Sequence, residues 1–137
     1  MINEFSGKYR FLSNFWSCYV SYAGEYYPSV ENAYQAAKMA NSEDRKRFLD
    51  IKASEAKKLG RVLPQRDDWE DERLDIMYQL VRQKFQDEML SPLLIDTEDE
   101  ELQEGNWWGD TFWGTVNGKG ENHLGKILMK VRTELRG

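Results

Sequence analysis

The chain is short of what a metal-bound or disulfide-bonded scaffold needs. It has one cysteine, Cys18, and one histidine, His123, among 137 residues. A single cysteine excludes an internal disulfide framework, and with one histidine beside it there is no zinc-type ligand cluster. No zinc site is therefore expected. Positive charge is also in deficit. The 19 Lys and Arg stand against 24 Asp and Glu, a net charge of −5. That balance gives no general attraction to a nucleic acid backbone, although it is compatible with a local basic site for one or two phosphates. No membrane-length apolar run and no signal peptide are evident, so a cytoplasmic protein without a membrane partner is expected. Ser13 lacks a matching His and Asp pattern, which disfavours serine hydrolysis.

What is present suits one ordinary domain spanning 1–137. Hydrophobic content is 40% and charged content 31%, enough for a real core and too apolar for disorder. The 5 Trp and 7 Tyr cluster in part with glycine and asparagine, which points to a stacking surface as well as to core.

The best-defined stretch runs from Pro28 to Met39. Pro28 ends extended chain, and Ser29 is placed to cap a helix. Val30, Ala33, Tyr34, Ala37 and Ala40 recur at helical spacing and predict a buried face. Glu31, Gln35 and Lys38 form a polar stripe beside it, with Tyr34 at the seam. A solvated face explains most such stripes, and the wall of a pocket is the alternative.

The chain before that helix alternates aromatic and small polar residues as far as Trp16, which predicts an ordered loop or short strand. Cys18, Val20 and Tyr22 alternate as a strand, Ala23-Gly24 turns, and Glu25-Tyr26-Tyr27 returns. After it, Ser42 is expected to cap a helix reaching about Ile51. Ser54 starts another, stopped by Gly60. Asp68 is the expected cap of the longest helix, about Glu70 to Met89, with Leu74, Met77, Tyr78, Val81, Phe85 and Met89 as its core stripe. Ser91-Pro92 breaks that helix, and Leu93-Leu94-Ile95 is a buried strand or helical turn. The acidic run from Asp96 to Glu101 is a solvated loop, and Leu102 to Gly105 is a candidate strand. The segment from Asn106 to Gly120 is too glycine-rich for a helix and too aromatic for a linker. The last helix begins near Asn122, its expected cap, with Leu124, Ile127, Leu128, Val131 and Leu135 facing the core. The sum is an α+β domain, predominantly helical, with a small β-hairpin.

Three groups carry chemistry. Gly118-Lys119-Gly120 precedes a helix, where backbone N–H groups meet acceptors, but it matches neither a Walker loop nor a dinucleotide fingerprint. Trp107, Trp108 and Trp113 offer faces for a base, at least one being core, and Trp69 either staples the long helix or lines a cleft. Glu31 and Asp110 are the acids best placed near aromatic rings. A carboxylate there can stabilise an oxocarbenium-like cation, activate water or protonate a leaving group. Arg10, Lys8 and Lys38 are candidate phosphate ligands.

Phe11-Leu12-Ser13-Asn14-Phe15, Ser29 through Lys38, Asp68-Trp69-Glu70, and Trp113-Gly114 followed by Gly118 through Met129 occur in an order that resembles the NADAR, or YbiA-like, family over nearly the whole chain. The resemblance implies a mostly helical YbiA-like fold and N-glycosidase chemistry on a ribose joined to a nitrogenous base or amine. The chemistry so implied needs no metal and no redox cofactor. The implied substrates are phosphoribosylamino-pyrimidines of the early riboflavin pathway, or ADP-ribosyl groups such as those on guanine. Nucleic acid enters only as a modified-base substrate. On this resemblance the Glu31-Tyr34-Gln35-Lys38 edge is the floor of a ribose pocket, Glu31 is the leading catalytic residue, Trp69 a substrate-facing ring, and Asn14, Lys38 and Asn122 frame the site. Tyr34, Trp107, Trp113 and Arg10 complete the expected binding set. The riboflavin-linked members place an Asp after the late Trp-Gly, where this chain has Thr115. Either Asp110 takes that role, or Asn117 serves the pocket, or the substrate differs. A non-catalytic module that holds ADP-ribose or another nucleotide is the competing expectation.

Overall fold

The computed structural model describes residues 1–137. They form a predominantly helical α+β fold with one two-stranded antiparallel sheet. By its internal contacts the chain divides into two compact units, one of Asn14–Lys84 and one of Met1–Ser13 with Phe85–Gly137.

The first of these carries the hairpin, β1 (Ser17–Tyr22) and β2 (Glu25–Ser29). Ala23 and Gly24 both have positive φ, 50° and 86°, which is the geometry a two-residue hairpin turn of matching twist requires. Gln83 closes part of the open edge of β1. Its Nε2 donates to the Ser21 carbonyl at 2.9 Å, and its Oε1 accepts from the Ser21 N–H at 2.9 Å. A side-chain amide thus stands in for a missing strand.

The sheet leads directly into α1 (Val30–Ala37). Ser29 caps it as expected, its hydroxyl accepting from the Asn32 N–H at 3.0 Å. Every residue of α1 is buried, not one face alone. The solvated-stripe reading of Glu31 and Gln35 is thereby excluded, whereas Ala40, expected in the core, is exposed beyond the helix end. Three small residues, Ala33, Ala36 and Ala37, let neighbouring chain approach α1 on several sides. Asn32 is the knot of this packing. Its Nδ2 donates to the Phe48 and Ile51 carbonyls at 2.9 and 2.8 Å, and its Oδ1 accepts from the Ser29 hydroxyl at 2.6 Å.

α2 (Ser42–Lys46) is shorter than its pattern predicts, and Asn41, not Ser42, caps it, accepting from the Asp44 N–H at 2.9 Å. The chain turns away so that Phe48 enters the core and its carbonyl reaches Asn32. α3 (Ala53–Val62) runs through Gly60 instead of stopping there. α4 (Trp69–Lys84) is shorter at its C-terminal end than predicted. Met77, Val81 and Phe85 are buried as expected, while Leu74 and Met89 are exposed, and Ile76, Leu80 and Lys84 take the core positions instead. Asp68 does not cap α4 with its side chain. Its carboxylate receives Arg66 through Nε and Nη2 at 2.5 and 2.9 Å, and its carbonyl accepts from Asp71 and Glu72. Arg66 also donates to the Tyr22 hydroxyl at 3.0 Å, and these partners hold its guanidinium firmly protonated.

In the second unit the N-terminal segment is a 3-10 helix, Gly7–Leu12, where a loop or strand was expected. Phe11 packs edge-on against Phe85 with centroids 6.4 Å apart. α5 (Ser91–Ile95) realises the helical-turn option, with Pro in its first turn. The 102–105 segment forms isolated bridges, Ile2 with Leu102 and Gly105 with Thr115, and no continuous strand. α6 (His123–Arg136) begins as predicted, with Leu124, Leu128 and Val131 buried.

Candidate active site

The structure brings five of the expected site residues together within the 14–84 unit: Asn14, Glu31, Tyr34, Lys38 and Trp69. The centre is Glu31, 8% exposed, in the first turn of α1. Its backbone N–H, unpaired within the helix, donates to the Asn14 carbonyl at 3.0 Å. One turn on, Gln35 donates from Nε2 to Glu31 Oε2 at 2.7 Å. A carboxylate has no proton to give when ionised, so this amide is oriented with its NH2 toward the acid.

Tyr34 and Trp69 close the aromatic side. Trp69 opens α4 and is only 4% exposed, so most of its ring serves packing. Asn14 donates from Nδ2 to the Met77 sulfur at 3.5 Å, while its Oδ1 is buried without a hydrogen-bond partner.

Lys38 follows α1 directly. Its ammonium lies 5.5 Å from the centre of the Tyr34 ring, within cation–π range. Burial lowers its pKa, Glu31 opposes that shift as the nearby negative charge, and Arg61, Arg73 and Lys57 lower it further. Of the expected phosphate ligands Lys38 lies here, whereas the exposed Arg10 and Lys8 belong to the other unit, and Lys57, Arg61 and Arg73 were not among the candidates. The available signal was the spacing of Lys57 and Arg61, four apart and so on one face of α3. The sequence places Gln35 on the expected pocket floor but does not show its bond to Glu31.

The remaining expected residues, Arg10, Trp107, Asp110, Trp113, Asn117 and Asn122, lie in the unit of 1–13 and 85–137. Asp110 Oδ1 accepts from the Phe112 and Trp113 N–H groups at 3.1 and 2.9 Å, fixing the turn that presents both rings. Asn106 braces the same loop, donating to the Asp110 carbonyl at 2.9 Å and accepting from its N–H at 3.0 Å. Gly114 has a steric reason: a Cβ there would stand 1.9 Å from the Glu104 carbonyl oxygen. Trp113 meets Phe112 edge-on at 4.9 Å, and Phe112 meets His123 at 4.6 Å. Trp107 is 87% exposed. Asn117, at φ 53°, occupies an exposed left-handed turn.

Asn122 corrects its expected role as a side-chain cap. It has left-handed backbone and makes no cap bond. Its side chain turns back, Oδ1 accepting from the Glu104 N–H at 3.0 Å and Nδ2 donating to the Leu102 carbonyl at 2.9 Å.

The NADAR domain family matches residues 3–136. A riboflavin biosynthesis protein of Vibrio vulnificus is 40% identical over 131 residues, 92% of this chain and 35% of that one. An N-glycosidase of Nostoc punctiforme is 38% identical over 136 residues, covering 93% of this chain and 86% of the relative. This chain therefore spans about a third of the Vibrio protein and most of the Nostoc one. The solution NMR structure of the Escherichia coli protein YbiA superposes with a TM-score of 0.84 at 30% identity, over 99% of this chain and 87% of that one. No helix is long and apolar enough to cross a membrane.

Proposed function

On the premise that this chain belongs to the NADAR domain family, we propose that it is an N-glycosidase that hydrolyses the bond between a ribose and a nitrogenous base or amine. The observation that carries the reading is the buried Glu31 carboxylate, held by Gln35 at 2.7 Å and accompanied by Lys38. A buried acid oriented by a second side chain suits proton transfer better than surface solvation. The 38% identical relative named as an N-glycosidase supports the reaction class.

In the proposed reaction the bond from ribose C1 to nitrogen lengthens, and its electron pair leaves with the nitrogen. Water bonds to C1 as Glu31 takes one of its protons. The departing nitrogen gains a proton, so that the net change is addition of water across the C–N bond. Glu31 also stabilises the positive charge that grows on the ribose. Asp110 is the proposed second carboxylate. Lys38, with Lys57, Arg61 and Arg73, favours a phosphorylated substrate, either a phosphoribosylamino-pyrimidine or an ADP-ribosyl group on guanine. Asn14, Tyr34 and Trp69 flank the ribose, and the exposed Trp107 supplies a face for a base. Trp113, Asn117, Asn122 and Arg10 remain binding candidates of this proposal. A cytoplasmic location and a small-molecule substrate accord with it.

The test is product release. The purified protein is incubated with a phosphoribosylamino-pyrimidine, with ADP-ribosylated guanosine and with ADP-ribose, and free base or amine is read by mass spectrometry. Release from one of the first two is expected. Binding without release from any of them would overturn the enzyme in favour of a nucleotide-binding module.

A further inference from the structure

Gln35 and Gly60 each break a packing rule at the same place. Gln35 is 5% exposed. Its Nε2 is satisfied by Glu31, but its Oε1 is buried with no hydrogen-bond partner. An unpaired amide oxygen in the interior is costly, and a methionine or leucine of similar size avoids the cost. Gly60 lies inside α3, a helix that would be more stable with alanine there. Alanine there forces the Gln35 side chain to move. A Cβ at position 60 would lie 1.9 Å from Gln35 Oε1, 2.8 Å from its Cδ and 3.3 Å from its Cβ. The helix thus gives up a favourable residue to admit a side chain that is itself imperfectly satisfied.

One function accounts for both. We propose that Gln35 is the positioning residue of Glu31 and that Gly60 is the seat that holds Gln35 in place. Gly60 limits where the Gln35 amide can lie, and the amide in turn limits the rotation of the Glu31 carboxylate through one N–H bond. The arrangement runs from α3 through α1 to the Glu31 carboxylate. The assignment rests on the role of Glu31 proposed above.

The experiment uses Gln35→Leu, Gly60→Ala, Gln35→Ala and the double variant Gln35→Ala/Gly60→Ala. Gln35→Leu and Gly60→Ala are expected to lower kcat by about 10- to 100-fold, the scale of a slightly misplaced catalytic group, with KM within about threefold of wild type. Adding Gly60→Ala to Gln35→Ala is expected to cost little more, because the clashing side chain is gone. Equal losses from Gly60→Ala in both backgrounds overturn the seat, and wild-type kcat in Gln35→Leu overturns the positioning role. A second readout needs no turnover. The Gln35 side-chain NH2 signals in 1H–15N spectra are expected to move on Glu31→Ala and on Gly60→Ala. Signals unmoved by either substitution overturn the proposal even if wild type cleaves nothing. Absence of cleavage with the signals moving as expected overturns the glycosidase reading alone.

Discussion

The Tyr34 and Trp69 rings meet with centroids 5.1 Å apart and planes inclined at 57°, and this contact ties α1 to the start of α4. Two aromatic rings at that separation contribute beyond the area they bury. Trp69, proposed above to flank the ribose, is therefore a structural joint as well. Trp69→Ala is expected to lower unfolding stability by about 3–5 kcal/mol, the range for a large aromatic truncated in a core. Trp69→Phe keeps a ring against Tyr34 and is expected to lose less than half of that. Urea unfolding of the two variants checks this, and equal losses would show that the ring contact is not what matters.

The cations around Lys38 predict a substrate preference. Lys38→Met is expected to raise KM for a phosphoribosyl substrate about tenfold or more, in line with roughly 1.5–3 kcal/mol for a hydrogen bond to a charged group. It should change KM for the same substrate without its phosphate far less. Paired KM measurements on both substrates decide the matter, and a parallel rise on both would remove the phosphate assignment. Raising the ionic strength should mimic the variant in part, because the exposed Arg61 acts through solvent.

Lys84 is a buried titrating group outside the proposed reaction. It is 2% exposed, and burial lowers its pKa to about 7, with Cys18 as the opposing influence. The folded protein thus binds this proton less well than the unfolded chain does. Below about pH 7 both states are protonated and the full cost of the buried charge is present. Between about pH 7 and the ordinary lysine value of 10.5 the folded state has shed the proton, and stability rises with pH. Lys84→Met lacks this dependence. Its stability relative to wild type should therefore be greatest near pH 7 and shrink toward pH 9.5 in urea unfolding series. A constant difference across that range would refute the linkage.

The order of elements was legible because local rules governed it. Ser29 capped α1 where its position predicted, and Ala23-Gly24 made the hairpin turn. The failures have a common cause in contacts distant along the chain. Gly60 resembles a helix stop, yet it lies inside α3 because Gln35, 25 positions earlier, needs the space. Asn122 resembles a helix cap, but its amide is used by Leu102 and Glu104. Leu74 and Met89 continue an apolar period that packing does not use. The acid at the centre of the candidate site was visible as the one carboxylate of a short helix whose motif carries the family resemblance. Gln35 was legible as part of the expected pocket floor, but its bond to Glu31 and the cations Lys57, Arg61 and Arg73 were not, since burial and partners decide those.

The two proposed carboxylates separate by conservative substitution. Glu31→Gln keeps the size of the side chain and removes the ability to take a proton. Turnover is expected to fall by about 10²–10⁴-fold, the usual contribution of a general base, with ligand binding and melting temperature retained. Asp110→Asn keeps an oxygen to accept from the Phe112 and Trp113 N–H groups, which lie 3.1 and 2.9 Å from Oδ1, so the loop should hold. Asp110→Ala removes that acceptor and leaves two N–H groups to find water. If Asp110 is the second acid, Asp110→Asn loses turnover about as strongly as Asp110→Ala while melting like wild type. If its carboxylate serves only the loop, Asp110→Asn stays near wild type and only Asp110→Ala loses activity, together with stability. Rates of base release and melting curves on the three variants give both answers at once, and the first pattern is the one expected.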